Sequence, residues 1–258
     1  MAAAAGRVNA YLRHMHGKLY LIPSPLIPCD HSEAVAMALA ASIPAAAAPL
    51  VTRLQHFIVE SEKESRRFLK LLNREIDINA LQFQLLNEHT REMSPKRFLA
   101  PALQGHDIGL LSDAGCPAVA DPGALVVAEA HRQGVQVVPL TGPSSILLTL
   151  MGSGFNGQRF CFQGYLPVER AARKQAIIEL EAESRKRNMT QLFIEAPYRN
   201  NQMLETLVQS CHPNTKLCIG TELTGPNEML RTRRIADWQG ALPDLHKKPV
   251  VFALYAEG

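Results

Sequence analysis

Short apolar runs alternate with amphipathic stretches along most of the chain. The runs of strand length are Leu19–Pro23, His56–Val59, Ile108–Ser112, Val135–Leu140, Phe160–Tyr165, Gln191–Glu195, Leu217–Thr221, Leu230–Ile235 and Val250–Tyr255. The stretches with helical spacing are Ser32–Ala41, Glu62–Asn73, Ser94–Gln104, Ala124–Gln133, Pro143–Met151, Arg170–Arg187 and Arg199–Gln209. In the third of these, Ser94 stands before Pro95, as an N-cap residue does before a proline at the first helical position. The alternation predicts an α/β protein whose sheets contain parallel strands flanked by helices.

A domain boundary is predicted at the segment 139–145, which closes one αβ unit and opens a helix. Beyond it the strand candidates become denser and more hairpin-like. We therefore expect an N-terminal domain, residues 17–140, with a mostly parallel sheet. A C-terminal domain, residues 141–258, should carry a mixed sheet, with a cleft between the two. Residues 1–16 are rich in alanine and lack the apolar core of a secretory signal, so we expect a flexible extension there.

Composition narrows the class of protein. With 258 residues, 47% apolar and 20% charged, the chain is long enough for two globular domains. A net charge of +3 permits contact with nucleic acid without arguing for it. Five scattered cysteines without a Cys-x-x-Cys pair lead us to expect reduced thiols, a cytoplasmic protein and no metal site. No apolar run approaches the ~20 residues of a membrane span, so no membrane association is expected.

Three further patterns have an ordinary structural explanation, and two of them also have a functional alternative. The run Gly152–Gly157 matches Gly-x-Gly-x-x-Gly, but it follows a helical stretch and leads into a strand, so it is predicted to be a helix-terminating loop. The basic residues of Arg170–Arg187 are either a solvated helix face or a surface that tracks phosphates. The mixed charges of Glu60–Arg67 are either a salt-bridged helix start or a functional group at a strand end.

The segment Leu111–Gly123 carries the strongest signal for chemistry. An apolar strand ends abruptly in a turn that holds two acids, two prolines and two glycines. Such a turn exposes backbone amides and carbonyls that no helix or sheet uses. Exposed backbone at the end of a strand in an α/β protein is where small ligands are held.

This segment resembles the Ser-Asp-Ala-Gly-Thr-Pro block of the tetrapyrrole-methylase superfamily, in its RsmI-like branch of 16S ribosomal RNA 2′-O-methyltransferases. Other blocks of that branch are matched in the same order by Gly17–Pro25, Gly134–Ser144, Arg159–Pro167, Phe193–Arg199 and Gly220–Thr224. Together the blocks are specific, although each alone would be weak. The resemblance implies a two-domain α/β fold and a homodimer. It also implies S-adenosylmethionine (SAM) as methyl donor, held in the interdomain cleft, with S-adenosylhomocysteine (SAH) as product.

The resemblance also places the donor site. The positions that it assigns to the donor are Pro23, Ser112, Asp113, Ala114, Gly115, Val119, Ala120, Ser144, Ser145, Ile194, Leu223, Thr224, Pro249 and Val250. The residue types suit this role, because Ala114 and Gly115 let a ligand approach the backbone closely. Ser144 and Ser145 begin a helix whose free amides can serve a carboxylate or a hydroxyl.

The acceptor half departs from the branch. Where the branch has Ala-Glu-Asp-Thr-Arg, this chain reads Val59–Lys63 and keeps only the first acid, Glu60. A His-Asp-His-Asn-like turn is reduced to Asn87–Thr90, and Cys116 replaces a threonine of the donor block. The donor half is thus retained and the acceptor half is rewritten, as in a divergent subgroup.

Methyl transfer is an in-line displacement that depends on positioning and on help in removing the acceptor's proton. Our hypothesis is that the acceptor side is lined by Glu60, Glu62, Lys63, His89 and Glu195. Three functions stay open: methylation of ribosomal RNA in the small subunit, methylation of a small molecule such as a tetrapyrrole, and SAM binding with little catalysis. Fold alone does not choose between them.

Overall fold

A computed structural model describes residues 16–29, 33–87, 90 and 94–257. The predicted extension therefore lies outside the described residues except for His16. The chain divides into two compact units, one ending at Pro143 and the other beginning at Ser144. No helix in the described ranges is long and apolar enough to cross a membrane.

The first unit is built on a parallel five-stranded sheet with the order β3-β2-β4-β1-β5. Its strands are β1 (Lys18–Ile22), β2 (His56–Val59), β3 (Gln82–Leu85), β4 (Ile108–Leu111) and β5 (Gln136–Pro139). Strand β4 is central and fully buried, as expected from its unbroken apolar sequence. The register places Ile22 of β1 and Val59 of β2 beside Leu111 of β4, so these three strands end together at one edge.

Helices cover this sheet on both faces. They are α1 (Glu33–Ser42), α2 (Ala47–Val51), α3 (Glu62–Leu72), α4 (Pro95–Phe98), α5 (Ala100–Leu103) and α6 (Gly123–Gln133). Successive residues of a strand point to opposite faces, so the strands feed two cores. Phe57 and Leu111 belong to the core shared with α3, whereas Ile58 and Leu110 belong to the core shared with α6.

The second unit is built on a mixed five-stranded sheet with the order β6-β7-β10-β8-β9. Its strands are β6 (Phe160–Tyr165), β7 (Thr190–Ile194), β8 (Lys216–Thr221), β9 (Met229–Arg234) and β10 (Val250–Tyr255). Strands β6 and β7 are parallel, and the other three pairs are antiparallel. The prediction of one parallel and one mixed sheet is confirmed.

The helices of this unit are α7 (Ser145–Ser153), α8 (Arg170–Arg187), α9 (Asn200–Ser210) and α10 (Ile235–Trp238). The core that contains Phe252 of β10 includes residues of α8, α9 and α10, and the opposite face packs against Leu150 of α7. Helix α7 comes very close to β8, because a Cβ atom at Gly220 would lie 2.4 Å from the Thr149 Oγ1 atom. Gly154 ends α7 with a φ of 73°, so the predicted helix-terminating loop is confirmed.

Several sequence predictions are wrong in detail. The helix predicted over Ser94–Gln104 is split into α4 and α5 at Leu99, because Pro101 cannot continue the hydrogen-bond ladder of the first helix. Ser94 occupies the N-cap position of α4, yet its side chain makes no capping hydrogen bond. Strand β3 and helices α2 and α10 were not predicted. Strand β3 alternates glutamine with apolar residues and lies at the sheet edge, so its apolar signal is weak.

Candidate functional site

The turn after β4 is tied to the end of β1. Ser24 and Gly115 exchange backbone hydrogen bonds, with N–O distances of 2.9 and 3.0 Å. The Ser24 hydroxyl also donates to the carbonyl of Ser112 over 2.8 Å. The segment Ser112–Gly115 is therefore held as a rigid turn at the carboxyl edge of the sheet, with Asp113 and Ala114 facing solvent.

Glu60, the first residue after β2, also reaches this turn. Its Oε1 atom accepts a hydrogen bond from the Asp113 amide over 3.0 Å. The candidate acid of the acceptor side thus contacts the candidate donor turn directly. Burial raises the pKa of Glu60, and the nearby carboxylates of Asp121 and Asp113 add to that rise.

The loop that follows the turn is organised by Asp121. Its carboxylate accepts from the amide of Ala118 over 2.8 Å and from the amide of Gly123 over 2.6 Å. Ala118 and Ala120 adopt left-handed backbone conformations with φ of 65° and 60°, which cost an alanine about 1–2 kcal/mol each. Val119 between them is exposed. Backbone strain of this kind is typical of ligand-binding loops.

The segment after β5 closes the same edge of the sheet. A Cβ atom at Gly142 would lie 2.2 Å from the Cβ atom of Pro23, so only glycine allows this contact. The thiol of Cys116 donates to the carbonyl of Pro143 over 3.3 Å. The ends of β1, β2, β4 and β5 are therefore joined around one turn.

The carboxyl groups of Glu60, Asp113 and Asp121 share this edge, and partial burial raises the pKa of each, although Asp113 also faces solvent. Asp113 also lies in the field of Glu64, and the pKa of Asp121 is raised although two amides stabilise its charged form. Charged carboxylates that are short of water favour a cation beside them. The first unit thus offers exposed backbone and negative charge at the end of a parallel sheet.

In the second unit, the loop after β8 meets the start of β10. The Glu222 amide donates to the Pro249 carbonyl over 3.3 Å, and the Thr221 hydroxyl donates to the same carbonyl over 2.9 Å. Leu223 is buried, and the hydroxyl of Thr224 is buried without a hydrogen-bond partner. Val250 lies beside Thr221 in the sheet register. The predicted donor residues of these two loops are therefore brought together.

The remaining predicted donor residues lie on β7 and α7. Ile194 ends β7 and packs with Ile146 of α7 in one small core. Ser144 caps α7, since its hydroxyl accepts a hydrogen bond from the Leu147 amide over 3.4 Å. Ser145 is the first residue of that helix, so its amide is among those without a helical acceptor.

The predicted acceptor residues are more scattered. Glu62 forms a salt bridge with Arg66 of the next helical turn, with 2.7 Å between oxygen and nitrogen, and Lys63 is exposed beside it. Glu195 is fully enclosed, and its Oε1 atom lies 2.6 Å from Arg199. His89 lies outside the described residues. No group of three or more metal-binding side chains occurs in the described part of the chain.

Known proteins resemble the chain in sequence. It is 34% identical over 161 residues to the ribosomal RNA small subunit methyltransferase I of Escherichia coli O157:H7, covering 62% of this chain and 54% of that protein. It is 36% identical over 161 residues to the protein of the same name from Mesorhizobium japonicum, covering 60% and 52%. The predicted resemblance to the RsmI-like branch is confirmed. The chain spans about half the length of these relatives. No family model matches it.

Solved structures resemble the chain in fold. A diphthine synthase superposes with a TM-score of 0.61 at 15% identity, covering 92% of this chain and 89% of that one. A uroporphyrin-III-C-methyltransferase from Thermus thermophilus gives a TM-score of 0.50 at 16% identity, covering 93% and 94%. The fold is thus the two-domain fold of tetrapyrrole methylases.

The structure also reveals residues that the sequence motifs did not single out. Ser24 holds the donor turn, Asp121 holds the loop after it, and Arg199 lies over the Tyr198 ring near the end of β7, beside which β6 ends at Tyr165. Asp121 lies within the segment Leu111–Gly123, and its spacing to Gly123 is that of a side chain bonding to backbone two residues on. The location of Tyr165 beside the end of β7 depends on strand pairing, which leaves no local signal.

Proposed function

We propose that the protein is a SAM-dependent methyltransferase that acts on small-subunit ribosomal RNA, at a ribose 2′-oxygen. The observation that carries the proposal is the turn Ser112–Gly115, fixed by contacts from Ser24 and Glu60 and matching the donor block of the RsmI-like branch. The named relatives support the choice of RNA as the acceptor. The proposed location is the cytoplasm.

The donor fits the residues available. SAM supplies an electrophilic methyl group on a positively charged sulfur. In the first unit, the exposed backbone of Asp113 and Ala114 would bind it, with the carboxylates nearby favouring its charge. In the second unit, the unpartnered hydroxyl of Thr224 and the α7 start at Ser144 offer hydrogen bonds. Pro23, Val119, Ala120, Ile194, Leu223, Pro249 and Val250 would supply apolar contacts.

The acceptor side is assigned by charge and exposure. Lys63 lies three residues after Glu60, is exposed, and would hold a phosphate of the RNA. Burial raises the pKa of Glu60 and makes it a stronger base once ionised, which suits proton removal from a hydroxyl. Glu195 instead orients Arg199 through their salt bridge. His89 stays a candidate base.

The proposed assembly is a homodimer. Leu147 and Met151 of α7 are exposed to 49% and 77% of their surface, respectively, and lie one helical turn apart. An exposed apolar pair of this kind is common where a second subunit binds. Sedimentation of the full chain tests the assembly directly.

The decisive experiment uses labelled SAM and small ribosomal subunits from a strain that lacks this protein. We expect label in the 16S ribosomal RNA, mapped to one ribose, and a loss of at least ten-fold in rate when Glu60 and His89 are both changed to alanine. Label transferred to a small molecule but not to RNA would contradict the acceptor. SAM bound without any transfer would contradict the assignment as an enzyme. An unchanged rate in the double variant would contradict the roles of Glu60 and His89.

A further inference from the structure

Two large aromatic side chains are exposed near the ends of β6 and β7. Tyr165 is 58% exposed and Tyr198 is 62% exposed, although tyrosine rings usually bury most of their surface. Tyr165 is the last residue of β6 and lies beside Ile194 in the sheet register. Tyr198 follows Ile194 by one short turn, in the 3-10 segment Pro197–Arg199.

Local backbone structure accounts for the exposure of the Tyr165 side chain at the end of β6. The register between β6 and β7 shifts between Phe162 and Tyr165, and Gly164 in that interval has a φ of 67°. This is a β-bulge, a feature that redirects the side chain after it and occurs often beside functional sites. The exposure of Tyr165 is therefore built into the strand.

A fixed cation covers one side of Tyr198. The Arg199 guanidinium carbon lies 5.2 Å from the centre of the Tyr198 ring. The buried Glu195 carboxylate holds this guanidinium at 2.6 Å, and that hydrogen bond raises the pKa of Arg199, with smaller contributions from Tyr198 and Tyr165. The Arg199 side chain is only 19% exposed and packs on one face of the Tyr198 ring. The other face of the ring stays open to solvent.

Positive charge and unpaired polar atoms surround the same turn. The Lys247 amide donates to the Pro197 carbonyl over 2.9 Å, which brings the backbone of an exposed lysine to the residue before Tyr198. Glu195 Oε2, Arg199 Nε and Asn200 Oδ1 are buried without hydrogen-bond partners. Polar atoms left in this way indicate that a bound molecule or ordered water completes the site.

We propose that Tyr165, Tyr198, Arg199 and Lys247 form a platform that binds single-stranded RNA, with an unpaired base stacked on a tyrosine and the phosphates near Lys247. Exposed aromatic rings among cations are the usual means of binding unpaired bases, and each stacked base contributes substantially to affinity. The proposal deepens the function proposed above and rests on it, since it names how the RNA acceptor is held.

The test measures binding of a fluorescein-labelled oligoribonucleotide of ten adenosines by anisotropy, using the full chain. We expect Tyr198→Ala and Tyr165→Ala each to weaken binding by about 5- to 100-fold, the range that follows from loss of one stacked base. Tyr198→Phe and Tyr165→Phe should bind within about two-fold of the native protein, because the ring is kept. SAH binding by calorimetry should stay unchanged in all four variants.

The control is Phe160→Ala, which removes an exposed aromatic ring from the opposite end of β6. The platform is refuted if both tyrosine-to-alanine variants bind the oligoribonucleotide as tightly as the native protein, or if Phe160→Ala weakens binding equally.

Methyl transfer to small ribosomal subunits separates the platform from the proposed methyltransferase activity. If the native protein transfers methyl groups but the tyrosine variants bind RNA normally, the platform alone is refuted. RNA binding that depends on the tyrosines without transfer refutes the methyltransferase alone.

Discussion

At the scale of single residues, strain is concentrated in the proposed donor loops. Ala118 and Ala120 follow β4, and Glu222 and Thr224 follow β8; all four adopt a positive φ. Each such residue costs about 1–2 kcal/mol and persists only where its surroundings hold it. Asp121 provides that restraint in the first loop through its two hydrogen bonds. The strained shape of the first loop is therefore held by the protein's own hydrogen bonds.

The strain predicts an unusual response to glycine. Ala120→Gly should leave the free energy of unfolding unchanged or raise it by up to about 1 kcal/mol, because glycine adopts a positive φ without cost. Ala128→Gly within α6 should lower it by about 1 kcal/mol, the ordinary cost of glycine in a helix. Urea unfolding measures both. Equal losses in the two variants would contradict the strain at Ala120.

The close contact between Gly142 and Pro23 predicts that replacing this glycine destabilises the protein. Gly142→Ala places a methyl group 2.2 Å from the Pro23 Cβ atom, so the two segments must separate. We expect a loss of about 1–3 kcal/mol in unfolding free energy, with SAH affinity lowered at least five-fold. Gly157→Ala is the matched control, since nothing lies within 4 Å of its added Cβ atom. The prediction is wrong if the two variants behave alike in calorimetry.

The raised pKa values of Glu60, Asp113 and Asp121 predict a pH-dependent preference for SAM over SAH. A carboxyl group with a raised pKa stays protonated to higher pH, and only its ionised form attracts the sulfonium charge, which SAH lacks. The ratio of SAM to SAH affinity should therefore fall as the pH is lowered through these raised values. Calorimetry at pH 8 and pH 5 measures it. Glu60→Gln should lower the ratio at pH 8, and a ratio independent of pH would contradict the prediction.

At the scale of elements, the start of α7 is the clearest link between local structure and binding. Ser144 supplies the cap, and the helix then lies close against β8 because Gly220 has no side chain. The helix start is therefore held by the sheet behind it as well as by its cap. A rigid helix start keeps its free amides aimed at one place, which a ligand carboxylate or hydroxyl requires.

The Ser144 cap can be tested against Ser94, which occupies the same position at the start of α4 without a capping hydrogen bond. Ser144→Ala should lower the free energy of unfolding by about 1 kcal/mol and weaken SAH binding. Ser94→Ala should change neither, because Ser94 occupies a cap position without making the hydrogen bond. Thermal unfolding and calorimetry of both variants test the pair. A similar loss from Ser94→Ala would show that the serine side chain acts in another way.

At the scale of the whole molecule, the two units have separate cores and one spectroscopic reporter. The single tryptophan, Trp238, is fully buried in the second unit, where its indole donates to the Leu217 carbonyl over 3.1 Å. Tryptophan fluorescence therefore follows the second unit, whereas circular dichroism follows both. The proposed donor residues are divided between the units, so our proposal predicts that a bound donor stabilises each of them.

The resulting prediction concerns unfolding in urea. SAH at 100 times its dissociation constant should stabilise the bound state by about 2.7 kcal/mol. The midpoints by fluorescence and by circular dichroism should both rise. A rise seen only by circular dichroism would place the donor on the first unit alone and contradict the assignment of Leu223, Thr224 and Val250.

The sequence was sufficient where local chemistry decides structure. Ile108–Leu111 is apolar throughout and forms the buried central strand, and the block that follows it forms the predicted turn. Helix α4 ended earlier than expected because Pro101 overrides a favourable helical pattern. The alternating glutamines of β3 hid an edge strand. Strand pairing places Tyr165 beside Ile194, and a loop contact places the Lys247 backbone against Pro197; no local sequence pattern predicts either.

The position of β1 has a consequence for how the chain is made. This strand leaves the ribosome before both of its partners, β4, which ends at Leu111, and β5, which ends at Pro139. Until about 90 further residues have been added, Leu19, Tyr20 and Ile22 have no neighbouring strand to join. During that interval the nascent chain carries an unpaired apolar strand, and exposed surface of this kind favours aggregation.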